Sequence, residues 1–126
     1  MEANTTAFIE RITGVINGIL PTTYDEAPTK GTFPYGVVSG INIIPLAAGD
    51  LTSFYIDLYA DEKKPDAAVE LEKLCDTVRN RLTGAVIYVP GLFGAHLGFE
   101  NQNGITDAEH DLFHRRLSLS ARIFYN

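Results

Sequence analysis

The residues able to do chemistry are few and poorly placed for it. The chain holds three histidines, His96, His110 and His114, and one cysteine, Cys75. His110 and His114 are four residues apart, a spacing that aims two imidazoles at one metal only when both lie on a helix. Here Glu109 and Asp111 flank the first, and the second stands at the entrance of a predicted strand, so both read as polar loop residues. A structural zinc site needs paired cysteines, and a single Cys75 inside an apolar helical stripe reads as a small buried hydrophobe. Gly-x-Ser-x-Gly, Gly-x-Gly-x-x-Gly and Walker-type Gly-Lys-Ser/Thr runs are all missing, which removes the usual nucleophile elbow and phosphate cradles. Gly91, Gly94 and Gly98 read as bends in an irregular hairpin. The acids Asp25-Glu26, Asp61-Glu62 and Asp107/Glu109/Asp111 fall in predicted loops, where carboxylates are usually solvated. These residues predict a protein that is not an enzyme and takes no cofactor or metal.

Bulk properties fit one globular domain spanning 1–126. With 45% hydrophobic and 21% charged residues, the chain can bury about two-thirds of its unfolded surface. No basic segment followed by an apolar run opens the sequence, so no signal peptide is expected. Apolar runs stop well short of the ~20 residues that cross a bilayer. The net charge is −6 and the pI is about 4.9. Proteins that grip duplex DNA by its phosphates carry a basic face, whereas here the basic residues are scattered and only Arg115 and Arg116 are adjacent.

The periodicity predicts which elements carry these residues. Phe8, Ile12, Val15, Ile16 and Ile19 recur at three- and four-residue steps, predicting a helix over 4–17. Asn4, Thr5 or Thr6 would cap its start, and Gly18 would stop it in a left-handed turn. Thr22–Pro34, rich in Pro, Gly and Thr, predicts an extended arm. A strand is expected over Tyr35–Ile44 with a bend at Gly40, then a turn at Gly49-Asp50. Leu51–Ala60 alternates cleanly, with Phe54, Ile56, Leu58 and Ala60 on one side. A second helix over Asp66–Leu82, N-capped by Asp66, carries the stripe Leu71, Leu74, Cys75, Val78 and Leu82. Short strands follow at Ala85–Val89 and Phe93–Glu100. Asn101 opens a polar loop to about His110, and a last strand alternates over Arg116–Tyr125. The expected class is α+β: a mainly antiparallel sheet of four to five strands with two helices packed on one face. The other face would present Tyr55, Asp57, Tyr59, Arg116, Ser118, Ser120 and Arg122 to solvent or to another subunit.

In this order and spacing the elements resemble the tail terminator (tail completion, head–tail joining) proteins of long-tailed bacteriophages and prophages. The likeness rests on Thr23-Tyr24-Asp25-Glu26-Ala27-Pro28 after the first helix and on the strand start Phe33-Pro34-Tyr35. It rests also on the strand Phe54–Asp61, on the Leu- and Arg-bearing helix, and on Arg116–Ile123 at the end. It covers nearly the whole chain as a pattern of features, without one sharp motif. The resemblance implies a virion protein that forms a ring, typically a hexamer, on the last ring of the tail tube. Such a ring stops tube polymerisation and joins the tail to the head. The implied partners are further copies of the chain, the major tail tube protein and a head-completion or connector protein, with DNA only passing through the lumen and no membrane. The closest alternative is a sibling neck ring; a small soluble binding module of bacterial origin is the alternative of a different class. Assembly-interface candidates are Tyr24, Asp25, Pro28, Phe33, Tyr55, Asp57, Tyr59, Asn101, Asn103, His110, Arg116 and Arg122.

Overall fold

In the computed structural model, residues 2–27, 33–105 and 112–125 are described. Helix α1 (Glu2–Asn17) starts two residues earlier than expected, placing Asn4, Thr5 and Thr6 inside it. Its apolar positions Phe8, Ile12 and Ile16 are buried, as four-residue steps on one helical face require. The end is not a left-handed glycine. Instead, Gly18 and Ile19 donate to the carbonyls of Val15 and Ile16 at 3.3 and 2.8 Å, and Asn17 Oδ1 accepts from the Thr22 amide at 2.9 Å.

Among the described residues the sheet has six strands, not four to five, in the order β1-β2-β3-β6-β5-β4. The expected arm contributes β1 (Thr22–Tyr24), which pairs in parallel with β2 (Tyr35–Leu46) at Gly36–Val38. Three residues in a Thr- and Pro-rich run carry no readable alternation, so this strand was hidden. The β2–β3 hairpin turns at Ala47-Ala48, and Gly49-Asp50, expected as the turn, already belongs to β3 (Gly49–Asp61). The bend at Gly40 is present: its φ is 67° and the pairing shifts between Ser39 and Asn42.

Helix α2 (Ala67–Leu82) buries Leu71, Cys75, Val78 and Leu82. Asp66 precedes it in a left-handed conformation and makes no side-chain cap. Strand β4 (Val86–Val89) pairs with β5 (Phe93–Ile105). The expected polar loop from Asn101 is in fact strand as far as Ile105, because backbone pairing to β6 (Leu112–Tyr125) needs no apolar side chains. Both helices and the alternate residues of β3 and β6 share one core cluster, with Phe8 edge-on to Phe54 at 5.5 Å. The helix backbones divide the sheet, α1 lying mainly over β1 and β2 and α2 over β3, β6 and β5, while Phe8 of α1 reaches Phe54 and Phe93.

Candidate functional site

Adjacent residues of a strand point to opposite faces, and β6 uses this at Arg115-Arg116. Arg115 turns toward α2, where its Nε donates to Glu72 and Gln102 Nε2 donates to the same carboxylate at 3.1 Å. Arg116 turns to the other face and holds Asp57 with two bonds, Nε to Oδ1 at 2.8 Å and a terminal guanidinium nitrogen to Oδ2 at 3.2 Å. Asp57, only 3% exposed, also accepts from His114 Nε2 at 2.9 Å. The carboxylate raises the Arg116 pKa chiefly through these hydrogen bonds.

An aromatic run continues from that centre. His114 stacks on Tyr59 with centroids 4.2 Å apart, Tyr59 stacks on Tyr35 at 4.9 Å, and Phe33 leans on Tyr35 at 5.4 Å. Arg116 also covers the Tyr55 ring at 4.2 Å. Burial pushes the Tyr35 hydroxyl pKa upward. This part of the face is therefore neither open nor bare: Tyr35, Val37, Asp57 and His114 are all buried on it. His114, expected as a loop residue, is a buried member of β6.

Of the twelve sequence candidates, the register brings Tyr55, Asp57, Tyr59 and Arg116 together, with Phe33 at the end of the stack. Asn101 and Asn103 sit on β5, opposite Ser118 and Arg116. Arg122 lies further along β6 and covers Phe124 at 5.7 Å. Tyr24 and Asp25 are exposed at β1 and just after it, Asp25 with a φ of 61°. Pro28 and His110 lie outside the described residues. Sequence reasoning missed His114 and Tyr35, which no short-range spacing connects to Asp57. It also missed a set of exposed apolar residues: Ile44, Leu46, Val86, Tyr88 and Phe124. Their signal was alternation on β2 and β4, readable only once those strands are known to be edges.

The chemistry open to these groups is limited. Among the described residues, no three His, Cys, Asp or Glu side chains converge as a metal site would require. The Cys75 thiol is fully buried, and burial followed by the nearby Glu72 charge pushes its pKa up to about 12. A neutral thiol is neither a nucleophile nor a ligand. The clearest groove, about 350 Å³, is lined by Phe33, Pro34, Ala60, Pro65, Leu71 and Leu74, with Asp61, Lys64 and Glu70 beside them. Among the described residues, no helix is long and apolar enough to cross a membrane.

A small α+β unit whose outer sheet face is knitted by an internal ion network, with exposed apolar residues at its margins, has the make-up of an assembly subunit. The sequence belongs to the tail completion protein gp17 family, whose profile matches residues 9–123. That family consists of structural phage tail proteins. The fold is similar to that of a chain in a solved structure described as the virion of a native gene transfer agent particle. The two are 18% identical, with a TM-score of 0.65 over 90% of this chain and 87% of that one. A second solved chain, 11% identical, shares the fold over the whole of this chain and 97% of its own, at a TM-score of 0.72. No curated protein sequence matches the chain.

Proposed function

We propose that this protein is a tail terminator: copies of it close into a ring, typically of six, on the end of the phage tail tube. The ring stops tube growth and offers the surface to which the head or its connector is joined. The observation that carries this reading is the family match over residues 9–123, on a fold whose conspicuous polar cluster is tied up internally. The likeness to a chain of a gene transfer agent particle supports a place in the virion, reached by assembly that we place in the host cytoplasm. An excess of acidic over basic residues supports a lumen that lets DNA pass without holding it.

The test adds purified protein to growing tail tubes polymerised from the matching tube protein and reads tube lengths by electron microscopy. Short tubes with a distinct ring at one end are expected, and the tube-length distribution should narrow with increasing protein. Tubes that grow to the same lengths with and without the protein would sink the reading.

A further inference from the structure

The two margins of the sheet have matching properties that nothing among the described residues uses. Beyond Val38, whose carbonyl accepts from Asp25, the outer side of β2 has no partner strand among the described residues. At the opposite margin β4 pairs, among the described residues, only with β5. Open strand edges are templates for pairing, and natural sheets usually blunt them with charge. Neither edge here is charged. The two longest stretches of the chain without Asp, Glu, Lys or Arg are residues 31–49 and 82–99, and they contain these two edges. Pro45 is the only blunting residue on β2, and it leaves 41–44 free to pair.

The register adds a second, independent match. Ile44 pairs with Leu51, Leu51 with Arg122, Arg122 with His96, and His96 with Val86. Ile44 and Val86 thus lie in one cross-sheet row, on one face, at opposite margins. The neighbouring row holds Leu46 beside Gly49, and Phe124 and Tyr88 on either side of Gly94. All four margin residues are exposed, at 47% for Ile44, 37% for Leu46, 72% for Val86 and 57% for Tyr88. Four successive antiparallel pairings separate β2 from β4, so the two run in the same direction.

We infer that the β2 edge of one copy pairs in parallel with the β4 edge of the next, joining their sheets and setting Ile44 and Leu46 beside the neighbour's Val86 and Tyr88. The occupant is a second copy because each edge is complementary to the other in row, face and direction. Each is also neutral in a chain of net charge −6, so copies meet where they do not repel. A contact that uses two different surfaces is head-to-tail and closes into a ring when its rotation allows. This inference rests on the ring reading and names the surface that would make the ring.

The experiment uses full-length variants Ile44→Cys and Val86→Cys, both at exposed positions, with native Cys75 buried. Under mild oxidation on tail tubes, an equal mixture should give a disulfide-linked pair, whereas either variant alone should give none. The double variant should give a ladder of linked copies. Tyr88→Lys combined with Val86→Lys should leave the melting temperature of the monomer within a few degrees and abolish ring formation. Self-linking of Ile44→Cys alone would show a two-fold contact and overturn the inference. Rings that form without cross-linking and tolerate both lysines would overturn it too, while leaving the ring reading intact. Wild-type protein that never exceeds a monomer, even on tubes, would overturn both.

Discussion

Asp57 sits where an unpaired carboxylate could not survive. It is buried to 3% exposure, and its oxygens take two bonds from Arg116 and one from His114. Removing one partner of a buried ion network strands the others, which costs several kcal/mol. Asp57→Ala should therefore lower the urea-unfolding free energy by about 3 kcal/mol. His114→Phe should cost only about 1 kcal/mol, because its ring can keep the stack on Tyr59 and Asp57 keeps both Arg116 bonds. Equal losses in the two variants would mean that the stack, and not the charge network, holds this face together. The same geometry qualifies the surface residues: Tyr59 is locked between Tyr35 and His114, so substituting it perturbs the fold, whereas Tyr55 is 38% exposed and carries Arg116 over its ring. At this scale the sequence was half legible. Alternation placed Asp57 and Arg116 on one face, but only the β3–β6 register makes 57 and 116 neighbours.

Strand and helix boundaries show where glycine is required and where it is merely tolerated. Gly49 opens β3 at a φ of 114°, and a Cβ built there would lie 1.9 Å from the Ile123 carbonyl oxygen. Gly49→Ala should cost about 2–3 kcal/mol through backbone strain and the displaced β6 strand. Gly14 is the reverse: it stands in α1, and a Cβ added there would meet nothing within 4 Å. Gly14→Ala should stabilise the protein by about 0.5–1 kcal/mol. Thermal melts of the two variants should move in opposite directions from the wild type. The elements that periodicity found were those with an apolar side to bury, namely α1, α2, β3 and the second half of β6. Those it lost, β1 and the Asn101–Ile105 part of β5, are held by main-chain pairing. Backbone hydrogen bonds leave no trace in residue type.

Considered whole, the molecule is an acidic body with a net charge of −6 whose conspicuous arginines are spent on internal partners. Phosphate binding scales with the cations that replace counterions, so the protein should not retain duplex DNA in a gel-shift at about 0.15 M salt. Clear retention there would contradict a freely passing lumen. The order of the strands carries a consequence for how the molecule is made. β6 follows every other strand in sequence yet lies at the centre of the sheet, between β3 and β5. Strands β2 and β3 form one hairpin and β4, β5 and β6 a second run of hairpins, and among the described residues only the β3–β6 pairing joins the two. The β3–β6 pairing joins residues far apart in sequence, and contacts of that kind form late. The two margins therefore come to lie in matching rows of one sheet only when that late pairing has formed.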